Sequence, residues 1–192
     1  MKKYAVIGSP IAHSFSPKYF AAKFEQRGIL DTQYASIDVP KISDIYQVVL
    51  KYELDGFNVT IPHKQSIIQY LHGISDAAAK MNAVNTVVVK NGKLYGYNTD
   101  YRGFRQSIVS LLPNNKVKAL IFGNGGASRA VRFALAQLGV SYRSVSRSKG
   151  VAYTYEDLTP EIVAEHRVII HTTPLGTYPN IEECITIPFD GV

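Results

Sequence analysis

One stretch decides the fold of this chain: Val117-Lys118-Ala119-Leu120-Ile121-Phe122-Gly123-Asn124-Gly125-Gly126-Ala127-Ser128. Its first half is an apolar run of the kind that forms a strand buried in a parallel sheet. A cluster of glycines follows, and residues 127–138 then place apolar side chains at helical spacing. A strand, a glycine turn and an amphipathic helix in this order predict a βαβ unit.

Strand and helix patterns alternate along the rest of the chain. Strands are predicted at 4–7, 33–39, 56–59, 84–89, 93–97, 117–122, 141–145 and 168–171. Those at 84–89 and 93–97 are joined at Asn91-Gly92, a dipeptide typical of hairpin turns. Helices are predicted from Ser16-Pro17 onwards, with Ser16 as N-cap and Pro17 in the first turn, and at 42–50, 62–71, 75–80, 100–112, 127–138 and 160–165. This alternation indicates the α/β class, with a mostly parallel, doubly wound sheet.

A polar break, Pro113-Asn114-Asn115-Lys116, separates two periodic regions. We therefore predict an N-terminal α/β domain over residues 1–112. A Rossmann-like domain, incomplete at its carboxyl end, is predicted over residues 113–192.

The composition limits the classes of function. With 192 residues, 46% of them hydrophobic, the chain can bury a sizeable core, and its net charge of +6 suits anionic small molecules, phosphates or nucleic acid. The sequence contains no run of five like charges, so a nucleic-acid-binding arm is not predicted, and no apolar stretch is long enough for a membrane span. The single cysteine, Cys184, excludes an internal disulfide and a CxxC metal site, and it fits a reducing compartment, which favours a cytoplasmic location.

The glycine turn is a candidate phosphate-binding loop. Gly123 allows the tight turn, Gly125 lets the backbone approach a pyrophosphate, and the helix then offers free N–H groups to an anion. Ser128 stands where the usual fingerprint has Gly or Ala. A glycine turn without a ligand remains the alternative.

The end of the next strand bears on the choice of cofactor. NAD-binding sites carry an acidic residue there, which bonds the 2′-hydroxyl of the ribose. This chain has Ser146-Arg147-Ser148-Lys149 instead. Arg147 suits a 2′-phosphate, so NADP is favoured over NAD, and a solvated basic turn is the alternative.

Polar residues follow several of the predicted strands in the first domain. They form four clusters, namely Ser14 with Ser16, then Asn58, Thr60 and Lys64, then Asn85-Thr86, then Asn98-Thr99-Asp100. Each alone is more often turn chemistry than function, and Lys64 alone could be a surface lysine. Lys64 nevertheless falls in the predicted first turn of a helix, where a cation is unfavourable. Together the clusters suit a small polyhydroxylated anion.

These motifs, in this order, resemble shikimate dehydrogenases. The resemblance rests on Ser14-Phe15-Ser16-Pro17, Asn58-Val59-Thr60-Ile61-Pro62-His63-Lys64, Ala83-Val84-Asn85-Thr86, Asn98-Thr99-Asp100 and Gly123-Asn124-Gly125-Gly126-Ala127. It implies interconversion of 3-dehydroshikimate and shikimate with NADP(H), on the route to chorismate and aromatic amino acids. The first domain would then bind substrate and the second NADP.

The resemblance also implies roles for individual residues. Lys64 and Asp100 would be the catalytic pair. Shikimate would be bound by Ser14, Ser16, Thr60, Asn85 and Asp100, with Asn58 in the same cluster and Lys64 beside them. NADP would be held by Gly123, Asn124, Gly125, Gly126 and Ala127 and by Ser146, Arg147 and Ser148, with Asp76 and Thr172 nearby.

The sequence departs from the family pattern at three places. Asn82 replaces a usual Gly, Thr177 replaces a usual Met near the nicotinamide, and the family continues beyond Val192. The alternatives are a quinate/shikimate dehydrogenase and a shortened form that binds shikimate without turnover. Monomer and homodimer both stay open.

Overall fold

A computed structural model of the chain describes residues 1–112, 116–147 and 150–189. The chain divides into two compact units, Met1–Thr99 and Asp100–Val192. By this division, the helix that begins at Asp100 belongs to the second unit, whereas the sequence predicts it in the first domain. Its Phe104 and Ile108 pack into the core of the second unit. Residues 113–115 of the predicted boundary lie outside the described residues.

The first unit is built on a mixed six-stranded sheet. Its strands are β1 (Lys2–Gly8), β2 (Thr32–Asp38), β3 (Gly56–Val59), β4 (Gly73–Ile74), β5 (Thr86–Lys90) and β6 (Lys93–Tyr97), in the order β2-β1-β3-β5-β6-β4. All neighbouring pairs are parallel except those of β5, which is antiparallel to β3 and β6. The sheet is therefore mostly parallel, and its antiparallel part is the hairpin β5–β6. Its turn, Asn91-Gly92, is the predicted one, and both residues take positive φ.

The helices of the first unit are α1 (Ser16–Gln26), α2 (Ile45–Tyr52) and α3 (Asp76–Met81), with 3-10 helices at Ile42–Asp44 and Ser66–Tyr70. Alternation in β1 and β3 sends Ala5, Ile7, Phe57 and Val59 into one core together with Ile45 of α2. The opposite face of the sheet carries Tyr34, which packs against α1.

Two local predictions in the first unit are wrong. The helix predicted at 62–71 is a turn followed by the short 3-10 helix Ser66–Tyr70. Ser16 does not cap α1, because Phe15 is the N-cap residue and Ser16 is already helical. Pro17 does lie in the first turn, as predicted.

The second unit has a parallel sheet covered on both faces. Its elements are α4 (Asp100–Ile108), β7 (Lys118–Phe122), α5 (Gly126–Gln137), β8 (Ser141–Val145), α6 (Pro160–Glu165) and β9 (Val168–His171), with the strand order β8-β7-β9. Ala119 and Ile121 of β7 pack in the core that includes Val131 of α5. Leu120 and Phe122 face the opposite cluster. This arrangement confirms the predicted doubly wound layers. No helix of the described residues is long and apolar enough to cross a membrane.

Candidate functional site

Strand topology brings the polar clusters of the first unit to one end of the strands, the border of the sheet where β1, β3 and β6 end and β5 begins. Because β5 runs against β3 and β6, its first residues lie beside the last residues of those two strands. The loop after β1 leaves the sheet at the same edge, since β1 and β3 are parallel. We call this region the polar edge, and it comprises Ser14, Ser16, Asn58, Thr60, Lys64, Asn85, Thr86, Asn98 and Thr99.

A close backbone approach fixes the place of Thr60. A Cβ atom on Gly8 would lie 2.6 Å from Cγ2 of Thr60 and 2.7 Å from the carbonyl oxygen of Ile61, so only glycine fits there. The backbone N–H of Thr60 donates to the carbonyl of Ile7 at 2.9 Å, and that of Ser9 donates to Ile61 at 3.1 Å. These two hydrogen bonds therefore hold the residues after β3 next to the start of the loop that leads from β1 to Ser14 and Ser16.

Asn85 is the centre of the hydrogen bonds at this edge. Its side chain is buried, and its Oδ1 accepts from the backbone N–H of Thr99 at 2.8 Å and from Oγ1 of Thr86 at 2.9 Å. Its Nδ2 donates to Oγ1 of Thr99 at 3.0 Å. These partners lie on β5 and after β6, so one carboxamide fixes the relative position of two chain segments. Asp100 directly follows Thr99 and begins α4.

Asn58 extends this network across β3, and Tyr34 of β2 completes it. Nδ2 of Asn58 donates to the carbonyl of Asn85 and to Oγ1 of Thr86, both at 3.2 Å. The hydroxyl of Tyr34 donates to Oδ1 of Asn58 at 2.7 Å. Burial raises the pKa of Tyr34 to about 12, and a hydrogen bond with Ser16 opposes that rise. The sequence did not single out Tyr34, although it predicted a strand over residues 33–39.

Lys64 lies in the turn between β3 and the 3-10 helix Ser66–Tyr70. Its carbonyl accepts from the backbone N–H of Val84 at 2.8 Å, which fixes the turn against the segment before β5. The neighbouring His63 is buried, and its Nε2 donates to the carbonyl of Val39 at 2.6 Å. His63 is therefore an anchor for the turn. Because residues 61–65 form a turn, the prediction that Lys64 lies in the first turn of a helix is wrong.

The glycine loop of the second unit lies between β7 and α5, as predicted. A Cβ atom on Gly123 would lie 2.6 Å from Oγ1 of Thr172, and this hydroxyl donates to the carbonyl of Phe122 at 2.6 Å. The end of β9 thus packs directly on the loop. A Cβ atom on Gly125 would meet no atom within 4 Å, so packing within the chain does not require glycine there. A backbone that must admit a pyrophosphate does require it, and the loop fits such a group.

A further arginine contacts this loop. Nη2 of Arg132 donates to Oδ1 of Asn124 at 3.0 Å, and burial lowers the pKa of the Arg132 guanidinium. Arg132 lies on α5, two turns from the glycines, and the sequence did not indicate it. Gly126 and Ala127 form the first turn of the same helix.

The other candidate cofactor residues lie at strand ends or helix starts. Ser146 is buried directly after β8, and its backbone N–H donates to Tyr153 at 3.1 Å. Arg147 is exposed beside it, and Ser148 lies outside the described residues. Asp76 is exposed at the start of α3, which Ser75 caps by accepting from the backbone N–H of Ala78. Among residues 1–112, 116–147 and 150–189, no cluster of three or more His, Cys, Asp or Glu could hold a metal ion.

The parallel three-stranded sheet, its glycine loop and its two packed faces define the second unit as Rossmann-like. The first unit matches a sequence family described as the shikimate dehydrogenase substrate binding domain, over residues 6–87. Over 198 aligned residues the chain is 38% identical to shikimate dehydrogenase (NADP(+)) of Staphylococcus aureus strain MRSA252, and the alignment covers 96% of this chain and 73% of that relative. The chain therefore belongs to the shikimate dehydrogenase family.

Solved structures give the same result. Shikimate dehydrogenase 1 from Peptoclostridium difficile superposes with a TM-score of 0.87 and 31% identity, over 97% of this chain and 72% of that one. The enzyme from Aquifex aeolicus superposes with a TM-score of 0.84 and 34% identity, over 96% of this chain and 72% of that one. The Thermus thermophilus enzyme in complex with NADP(H) and shikimate superposes with a TM-score of 0.82 and 30% identity, over 98% of this chain and 74% of that one.

Proposed function

We propose that this chain catalyses the reversible, NADP-dependent reduction of 3-dehydroshikimate to shikimate. The observation that carries the proposal is the convergence of four separate polar clusters on one edge of the first sheet, in a chain 38% identical to an NADP-dependent shikimate dehydrogenase. A relative of known structure was solved with both NADP(H) and shikimate. The pathway to chorismate and the aromatic amino acids, and a cytoplasmic location, belong to the same proposal.

The polar edge suits the substrate chemically. Shikimate is a small carboxylate with several hydroxyl groups, and it needs many short, neutral hydrogen-bonding partners held in fixed places. Ser14, just before α1, and Ser16, its first residue, offer two hydroxyls, and Oγ of Ser14 accepts from the backbone N–H of Ser16 at 3.4 Å. Thr60 and Asn85 add a hydroxyl and a carboxamide. We assign these four residues to substrate binding.

Lys64 and Asp100 are the proposed catalytic pair. Reduction of the ketone leaves charge on its oxygen, which an ammonium group stabilises and protonates. The ammonium of Lys64 takes this role, and the carboxylate of Asp100 binds the same hydroxyl. In the oxidative direction the neutral amine of Lys64 receives the hydroxyl proton and becomes the ammonium again.

The second unit is proposed to hold the cofactor, which supplies the hydride. Its pyrophosphate would lie on Gly123, Asn124, Gly125, Gly126 and Ala127, at the start of α5. Ser146, Arg147 and Ser148 would bind the 2′-phosphate, since Arg147 offers paired N–H donors to a phosphate. Thr172 packs on Gly123 and would face the same ligand, and Asp76 is the acidic candidate from the first unit.

Turnover of shikimate with NADP tests the proposal. The purified chain is incubated with shikimate and NADP, and the growth of reduced-nicotinamide absorbance is followed. Parallel reactions contain quinate or NAD. A rate with shikimate and NADP well above the other three combinations supports the proposal, whereas equal rates on both acids would make the chain a quinate/shikimate dehydrogenase. Calorimetric shikimate binding without turnover would leave a binding protein and contradict the enzymatic proposal.

A further inference from the structure

We infer that Tyr34 is a positioning residue for the polar edge, and that it acts by fixing the carboxamide of Asn58. The inference rests on the proposed function, because it concerns the same substrate-binding residues. It also changes the role of Asn58, which the sequence predicted to bind substrate directly.

The hydrogen bonds of Asn58 carry this inference. The carbonyl of Asn85 can only accept, so the Asn58 nitrogen must face it, and this fixes the orientation of the carboxamide. The second hydrogen on Nδ2 goes to Oγ1 of Thr86. Both donors of Asn58 are therefore used within the chain. Its Oδ1 accepts from the hydroxyl of Tyr34, and Asn58 serves to hold other residues in place.

Asn58 holds Asn85, which is proposed to touch substrate, and Thr86 beside it. The carbonyl of Asn85 accepts from Nδ2 of Asn58 and also from the backbone N–H of Val59 at 2.9 Å, so the start of β5 is tied twice to the end of β3. Thr86, which accepts from Asn58, donates in turn to Oδ1 of Asn85. A change at Asn58 would therefore reach the Asn85 side chain through two routes.

Tyr34 is itself held rigidly. Its ring stacks on that of Phe20 in α1, with ring centroids 4.3 Å apart and an angle of 19° between the planes. Its only hydroxyl proton goes to Asn58, so in its hydrogen bond with Ser16 the serine must donate. Tyr34 thus joins Ser16, at the start of α1, to Asn58 on β3, which in turn bonds Asn85 before β5. These segments are the two sides of the proposed substrate site.

The register of the sheet supplies a matched control. Tyr4 of β1 pairs directly with Tyr34 of β2, so both rings lie on the same sheet face at adjacent positions. Among the described residues, the Tyr4 hydroxyl has no hydrogen-bond partner. Tyr4→Phe and Tyr34→Phe therefore remove the same atom from neighbouring tyrosines, and only the second change removes a hydrogen bond to Asn58.

The test measures shikimate affinity of the full chain by calorimetry, together with KM for shikimate and for NADP. Tyr34→Phe is expected to raise the shikimate Kd and KM by about three- to tenfold, the equivalent of one neutral hydrogen bond, while KM for NADP stays unchanged. Tyr4→Phe is expected to change none of these values. In an Asn58→Ala background, Tyr34→Phe should have no further effect, because the carboxamide through which Tyr34 acts is already absent.

Exchange of the Asn58 side-chain amide protons, followed by NMR, gives a readout that needs no substrate. Faster exchange is expected in Tyr34→Phe and unchanged exchange in Tyr4→Phe. Unchanged exchange and affinity in Tyr34→Phe, or effects that add in the double variant, would overturn the inference. Absence of shikimate binding by the unmodified chain would refute the proposed function, and the exchange rates would still decide whether Tyr34 fixes Asn58.

Discussion

The backbone N–H of Thr99 donates to Oδ1 of Asn85 at 2.8 Å, and this bond joins the start of β5 to the segment that leads into Asp100. The same oxygen accepts from Thr86, so a single buried carboxamide orders both strand ends of the hairpin. Residues that are far apart in the sequence thereby keep fixed positions at the polar edge.

The substitution of Asn85 tests this arrangement through the free energy of unfolding. Asn85→Ala leaves the Thr99 N–H and the Thr86 hydroxyl without their acceptor, and we expect a loss of about 1–3 kcal/mol in the free energy of unfolding. Urea unfolding followed by circular dichroism measures it. Gln47→Ala, on the exposed side of α2, is the control and should change stability by less than about 0.5 kcal/mol. Equal midpoints for the two variants would contradict the prediction.

Two glycines of the phosphate loop should respond differently to the same substitution. In Gly123→Ala the new Cβ meets Thr172, and the cost in unfolding free energy should be about 1–3 kcal/mol. In Gly125→Ala the Cβ meets no protein atom, so stability should hold while KM for NADP rises sharply. Thermal unfolding and steady-state kinetics separate the two effects. An unchanged KM for NADP in Gly125→Ala would argue against a pyrophosphate at this loop.

Lys64→Ala tests the proposed proton donor. We expect kcat to fall by about a hundredfold or more, because the developing alkoxide loses its stabilising and protonating group. Shikimate binding, measured by calorimetry, should largely remain. Lys90→Ala, which removes an exposed lysine from the β5–β6 hairpin, serves as the control. Normal turnover of the Lys64 variant would mean that another residue supplies the proton.

Arg147→Ala tests the preference for NADP. Loss of a guanidinium that pairs with the 2′-phosphate should raise KM for NADP by about ten- to hundredfold, while KM for NAD changes little. Arg143→Ala removes another exposed arginine, on β8 itself, and should leave both values unchanged. Similar increases for the two cofactors would remove Arg147 from the 2′-phosphate site.

The pKa values of two tyrosines, Tyr19 in α1 and Tyr34 beside it, should shift in opposite directions from their ordinary value. Burial raises the pKa of Tyr34 to about 12, whereas the hydrogen bond from Nζ of Lys23 lowers the pKa of Tyr19. A folded-state pKa above the unfolded value stabilises the fold below the unfolded pKa, and this contribution is lost as the pH rises from about 10 towards 12. NMR titration of ring-labelled tyrosine, with Tyr34→Phe for assignment, measures both values. A Tyr34 that ionises before Tyr19 would contradict the structure.

Much of the fold follows from local sequence patterns. The strands Gly56–Val59, Ser141–Val145 and Val168–His171 have the predicted bounds, since each lies between polar or turn-forming neighbours and carries β-branched or aromatic side chains. The helix predicted at 62–71 fails for a physical reason. Ile67, Ile68 and Leu71 do have helical spacing, but His63 and Lys64 bond to Val39 and Val84, and these distant partners hold the backbone in a turn.

The sequence by itself determined the α/β class, the glycine loop and the polar clusters, since each depends on neighbouring residues in the chain. Only the tertiary structure decided that β5 pairs with β3, that Asn85 connects two strand ends, and that Tyr34 holds Asn58. Tyr34 and Asn58 meet across three strands, and their contact depends on strand order and register. Strand order and register are set by the packing of the whole sheet, which no local pattern contains.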